Sequence, residues 1–346
     1  MDANICLTET VQTNRKRIPY FDVMKGILML TVVFDHIILF DVNTQNPYEY
    51  FLSCMFQSFN MPLFFMIAGF MLAFSGKKFL TIKQTFQHIK KRFIQCIIPF
   101  FMWPIVRHIM FEFPKDMSIH NMIMSVPNVL ISPQTGLWFL LCLFVADTLL
   151  SILILIYNKT QKAILFWILV ITIEMALIVV KPYNIVGLYN VYYFLPFFVF
   201  GFCINKYSLV KFLQNNLVFL ILLCGFLFII PYYNRINTPL FLRLILGICG
   251  SLSLWRICMS LFQDGFALKF FTHFGEKSMA IYCVHGIFVS YSLIDLPMFQ
   301  WDFLNFVLVT LASIAVSYAC IWCSNIISLS PVLNLLLNGQ QTSKNK

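Results

Sequence analysis

Charge is what this chain has least of. Only 11% of its 346 residues are Asp, Glu, Lys or Arg, against 60% hydrophobic residues. A soluble domain carries about 25% charge and about 45–50% apolar residues, so the balance excludes an ordinary water-soluble protein. No hydrophilic stretch is long enough for a separate soluble domain. There is no low-complexity segment and no internal repeat. A duplicated half would have pointed to a secondary transporter. The cysteines number 11 and lie scattered, mostly inside apolar runs. Cys320 and Cys323 form a CxxC without a second pair or histidine partners, so neither a disulfide framework nor a metal site is expected.

What is present instead is length and grease. Phe alone supplies 39 residues, and the mean hydropathy is +0.82. Ten apolar runs are long enough for membrane spans: 22–41, 51–74, 93–112, 137–157, 163–181, 187–204, 215–231, 238–256, 278–296 and 303–328. The first has no small-residue cleavage site after it and reads as a retained span, not a signal peptide. The sequence therefore predicts an all-α, polytopic membrane bundle of about ten transmembrane helices.

The net charge of +10 invites a nucleic-acid reading, but its placement does not. With Arg15, Lys16 and Arg17 set in the cytoplasm, the outer connections hold only Lys115, Lys181 and Arg235. Lys25, Arg107 and Arg243 lie within spans, and every other Lys and Arg falls inside. This is the positive-inside pattern, and the basic excess serves topology and anionic lipid. Both termini are expected in the cytoplasm. Residues 1–21 form an N-terminal segment, 22–330 the transmembrane domain and 331–346 a cytoplasmic tail.

Ionisable residues inside spans are the functional candidates, since they cost about 2.5–3.5 kcal/mol each at a helix centre. The first run, FDVMKGILMLTVVFDHIILF, carries Asp22, Lys25, Asp35 and His36. Lys25 and His36 are 11 residues apart, which puts them within about 20° of one helix face and about 16 Å apart along the axis. Asp22 precedes Lys25 by one turn. A simple reading leaves Asp22 and Lys25 as the cytoplasmic border of the span, with Lys25 snorkelling. It leaves Asp35 and His36 unexplained. Histidine suits general-base work because its pKa lies near neutrality. Asp35 points about 100° away from His36, so it is not expected to orient that ring.

Further candidates follow along the chain. The second run, FQSFNMPLFFMIAGFML, is interrupted by Asn60, Pro62 and Gly69. The connection GKKFLTIKQTFQHIKKRF is the most basic segment. It is either a lipid-facing charge cluster or a docking site for a phosphate-bearing ligand. Lys91 and Arg92, at the start of the third run, are best placed to point into the bundle. Arg107, His108, Asp147, Glu174 and Arg243 are further intramembrane charges without an assigned role. FGEKSMAIYCVHGIF sets Tyr282 and His285 on one helix face.

Four stretches in order resemble the membrane acyltransferase family 3. They are Asp22-Val-Met-Lys25-Gly26 with His36, Asn60-Met-Pro-Leu-Phe-Phe-Met-Ile-Ala-Gly-Phe70, Trp138-Phe139-Leu140, and Ser278-Met-Ala-Ile-Tyr282-Cys-Val-His285. The family comprises bacterial integral-membrane O-acyltransferases of surface and exported polysaccharides. The resemblance implies transfer of an acyl group, usually acetyl from cytoplasmic acetyl-CoA, to a sugar hydroxyl on the outer side. His36 would be catalytic, with Lys25 and Asp22 beside it. Lys91 and Arg92 would meet the CoA, and Asn60, Trp138, Tyr282 and His285 the substrate. No permanently bound cofactor is implied, and the location would be the bacterial inner membrane. Two departures are visible: Ala68-Gly69 stands where the family commonly has Ser-Gly, and Leu141, Cys142 and Leu143 stand where an acidic residue often follows the Trp-Phe-Leu motif. The competing reading is a proton-coupled transporter or flippase of a sugar or glycolipid. The one-sided basic cluster beside the third run favours the transferase.

Overall fold

The first apolar run becomes a helix of 22 residues, α1 (Pro19–Phe40). The computed structural model describes residues 18–40, 47–75, 79–112, 137–180, 190–234, 237–261, 264–290 and 302–340, with the single residues 120, 124 and 127. Among them no strand occurs. The helices in order are α2 (Pro47–Phe74), α3 (Ile82–Arg107), α4 (Trp138–Thr160), α5 (Ala163–Val180), α6 (Val191–Lys206), α7 (Val210–Leu213), α8 (Asn216–Ile229), α9 (Leu240–Leu261), α10 (Gly265–Glu276), α11 (Ser278–Ser290), α12 (Asp302–Ser328) and α13 (Pro331–Asn338). A π-helical turn, His108–Glu112, extends α3.

Each of the ten apolar runs is occupied by a helix. Among the described residues, five helices are long and apolar enough by themselves to cross a membrane: α2, α3 with its extension, α4, α9 and α12. Others, such as α6 and α11, are shorter apolar helices. The exposed surface fits a lipid surround. Ile164, Ile168, Ile171, Met175 and Val179 recur at helical spacing along one exposed face of α5. Such a stripe would be a liability in water and is the natural lipid-facing side of a span.

Close crossings hold α1 and α2 in place. A Cβ on Gly26 would lie 2.0 Å from the Phe271 carbonyl oxygen of α10, and one on Gly275 would lie 1.7 Å from the Asp22 carbonyl oxygen. The two glycines face each other's backbone, so α1 and α10 touch main chain to main chain. Gly69 and Gly201 do the same for α2 and α6, against Phe198 O at 1.9 Å and Met66 O at 2.0 Å. Small residues at such crossings are how apolar helices associate when lipid is as greasy as the interface. Pro62 sits inside α2 without ending it.

Two segments differ from the sequence expectation. The basic connection after the second run is not a connection over most of its length, because α3 starts at Ile82, well before the expected 93. The Thr81 side chain caps it, accepting from Gln84 N–H at 3.2 Å. Thr85, His88 and Cys96 are buried along it, with Arg92 between them, at three- and four-residue steps, so its polar side faces the bundle. Lys91 and Arg92 therefore lie well inside a helix. Residues 331–338, expected as tail, form α13, which packs against α3. The topogenic residues Arg15, Lys16, Arg17, Lys77, Lys78, Lys115, Lys181, Arg235, Lys344 and Lys346 lie outside the described residues.

Candidate active site

Lys25 and His36 share α1 but open into two different cavities. The Lys25 cavity has a volume of about 490 Å³, and the His36 cavity about 370 Å³. Both fall in the range of small-molecule sites. Met61 of α2 and Tyr282 of α11 line both, so these two side chains form the partition between them.

The Lys25 cavity has both basic and apolar lining. Lys25, Lys91 and Arg92 supply cations. Met61, Phe64, Ile67 and Met71 of α2 supply the apolar lining. Asp22 anchors Lys25, with Nζ 2.6 Å from Oδ1. Arg92 is set by Asp147 of α4, with Nε 3.0 Å from Oδ2, and donates from Nη1 to Gln95 Oε1 at 3.2 Å. His88 Nε2 contacts the other Asp147 oxygen closely. A carboxylate buried to 4% side-chain exposure thus carries two basic partners on one face of α3.

Asp147→Ala would leave that basic pair without its counter-charge. Removing one partner of a buried pair costs about 3–5 kcal/mol, and the lower end, about 3 kcal/mol, applies because Arg92 keeps some solvent exposure. The expected result is a clear drop in thermal unfolding temperature in detergent. Adding Arg92→Leu to Asp147→Ala should recover part of it.

The His36 cavity is polar and aromatic. His36 Nδ1–H donates to the Val32 carbonyl at 2.8 Å, which leaves the basic lone pair on Nε2. Asp35 lines the same cavity but is held from α2: Gln57 Nε2 donates to its two oxygens at 3.0 and 2.7 Å, and Ser53 Oγ donates to Oδ1. Those bonds tie Asp35 to α2. The Thr31 hydroxyl sits between Leu28 O at 2.9 Å and Asn60 Oδ1 at 3.0 Å, fixing Asn60 at the cavity. Trp138 stacks on Phe194 with centroids 5.1 Å apart. Tyr192, Tyr193, Tyr233 and Arg243 complete the lining, Arg243 lying 4.5 Å over the Tyr193 ring.

The partition is built from the late motif. Tyr282 Oη accepts from Phe139 N–H at 3.3 Å, and its ring meets Phe139 edge-on at 5.3 Å. The Trp138-Phe139-Leu140 and Tyr282 motifs are therefore one structural unit. His285 is buried behind it, lining neither cavity. Its ring packs edge-on against His36 at 5.0 Å, and its Nδ1 is satisfied by the Tyr282 carbonyl at 2.8 Å. Asp22, Arg107 and Glu174 also line neither cavity.

The structure places the residues singled out in the sequence in two groups: Lys25, Lys91 and Arg92 line one cavity, His36, Asn60 and Trp138 the other, with Tyr282 between, while Asp22 and His285 line neither. The sequence reading missed His88 and Gln57, and it left Asp147 and Arg243 unplaced. The Thr85–His88–Arg92 spacing was the available signal for His88.

Among the described residues the bundle is all helical and carries one basic and one polar-aromatic cavity, both lined by Met61 and Tyr282. Residues 18–322 match the acyltransferase domain family, acyltransferase family 3, and the chain belongs to that family. Neither a curated protein nor a solved structure matches the chain.

Proposed function

We propose that this membrane acyltransferase is an O-acyltransferase, with acetyl as the group moved. The donor is cytoplasmic acyl-CoA held in the Lys25 cavity. The acceptor is a sugar hydroxyl in the His36 cavity, on a cell-surface or exported polysaccharide or its lipid-linked precursor. The location is the bacterial inner membrane. The observation that carries this reading is that the two cavities meet at Met61 and Tyr282. A thioester extended along the apolar lining of one cavity reaches the partition from which His36 faces the other.

The charges support the assignment of substrates to cavities. Lys25, Lys91 and Arg92 suit the phosphates of CoA, and Arg in particular presents a fork of donors to phosphate. The tyrosines and Trp138 offer flat apolar faces to a sugar ring, while Asn60, Gln57 and Asp35 offer partners for its hydroxyls. In the reaction, His36 Nε2 takes the hydroxyl proton as the oxygen bonds to the acyl carbon. The carbon–sulfur bond breaks, and the leaving thiolate takes a proton. The base is worth about 10²–10⁴-fold in such steps. The transporter alternative loses support, because the family is one of acyltransferases.

The test is a transfer assay with purified protein in lipid nanodiscs, radiolabelled acetyl-CoA and a crude lipid-linked sugar fraction. Label moving into the sugar fraction supports the proposal. Label staying on CoA with active-looking, folded protein across acyl-CoA donors contradicts it.

A further inference from the structure

The family match ends at residue 322, yet the Lys25 cavity does not end with it. Asn338, Gly339 and Gln340 also line that cavity. They sit at the end of α13, which follows the last long apolar run. Ser330 caps its start, accepting from Leu333 N–H at 3.4 Å. Trp103 of α3 donates from Nε1 to Leu337 O at 2.9 Å and ties the helix to α3.

The turn that follows is built to approach α3 closely. Gly339 ends α13 with φ of 63°, in the left-handed region that favours glycine. A Cβ there would lie 2.7 Å from Gln95 O and 2.9 Å from Ile94 O. The chain is therefore pressed onto the α3 backbone one turn beyond Arg92. Asn338 is locked in place: its Oδ1 accepts from Ser324 Oγ at 3.1 Å, and its Nδ2 donates to Asn334 Oδ1 at 2.9 Å. Asn334 also holds the Gln340 main chain, donating to Gln340 O at 3.3 Å and accepting from Gln340 N–H at 3.2 Å. With its backbone clamped on both sides, Gln340 lines the cavity from an exposed position.

The chemistry of this wall differs from that of the others. Lys25, Lys91 and Arg92 carry charge, and α2 is apolar. Gln95 and Gln340 bring neutral amides, each with donors and an acceptor. Neutral amides complement an amide-bearing chain and contribute little to holding a phosphate.

We infer that the segment 330–340 is a wall of the donor site, and that Gln340, positioned by Gly339 and Asn334, binds the amide-bearing pantetheine arm of acyl-CoA. This rests on the proposal that the Lys25 cavity takes the donor. It predicts that the segment discriminates between CoA and a fragment lacking that arm.

The test is calorimetric binding of CoA and of adenosine 3′,5′-bisphosphate to the full chain in nanodiscs, for wild type, Gln340→Ala and Gly339→Val. CoA affinity is expected to fall about tenfold in Gln340→Ala, the loss of roughly one good hydrogen bond. It should fall further in Gly339→Val. The bisphosphate, held by Lys91 and Arg92, should bind all three proteins alike, which also shows that the variants are folded. Unchanged CoA affinity in both variants, or an equal loss for both ligands, overturns the inference while leaving the donor site in place. No CoA binding by wild type overturns the donor reading and this inference with it.

Discussion

His36→Ala is expected to lower acyl transfer by about 10²–10⁴-fold, the usual value of a general base, while CoA affinity stays within about twofold. The split follows from the geometry. His36 lines the polar-aromatic cavity, and the basic groups proposed to hold CoA line the other. His36→Gln preserves a hydrogen-bonding side chain of similar reach but no base, and it should lose nearly as much turnover. Transfer rates and CoA binding measured on the same nanodisc preparations check both halves. A variant that lost CoA binding in proportion to rate would place His36 in donor recognition and remove its assigned role.

Gly275→Val is expected to cost the folded protein more than any site substitution. Overpacking a core costs about 1–3 kcal/mol when side chains can give way. Here the first atom added would lie 1.7 Å from a backbone oxygen of α1, and main chain cannot yield locally. The α1–α10 crossing must open. That displaces Asp22, whose carbonyl is the obstacle, and with it the Asp22–Lys25 pair. Detergent-extracted protein should run as aggregate on size exclusion, with little thermal transition left. Gly286→Ala is the control: nothing lies within 4 Å of its added Cβ, so the helix should be unharmed or stabilised by up to about 1 kcal/mol.

The contrast between those two glycines shows what a sequence can and cannot carry. Gly275 lies in the last turn of the amphipathic α10 and Gly286 within the apolar α11, but neither setting says what the glycine meets. The difference is what each faces across the bundle. The same holds for the charges. Helical spacing puts Lys25 and His36 on nearly one face of α1. It could not show that Met61 and Tyr282, from α2 and α11, divide the space beside that face into two. Asp147 was visible as a charge in a span, but its partners His88 and Arg92 lie in α3, dozens of residues away.

The apolar runs were legible because burial in lipid demands unbroken hydrophobic length. Ends of helices were less so. The start of α3 was masked by its lysines, which read as a loop although Lys and Gln are good helix formers. Thr81 and the polar Thr85–His88–Arg92 spacing were the corrective signals. Segment 331–340 read as a tail because it is short and follows the last long run. Its apolar side is completed by packing against α3, α11 and α12, which no reading along the chain supplies.

The central claim is that this membrane acyltransferase esterifies a sugar hydroxyl with His36 as base. The most direct measurement is mass spectrometry of surface and exported glycans from the source cells, comparing wild type, a deletion and His36→Ala with matched membrane levels. The account predicts an acetyl-sized mass on one sugar in wild type that is absent from both other samples. An acyl mass lost in the deletion but kept by His36→Ala would contradict the role of His36. No acyl mass that depends on the protein would contradict polysaccharide acylation itself.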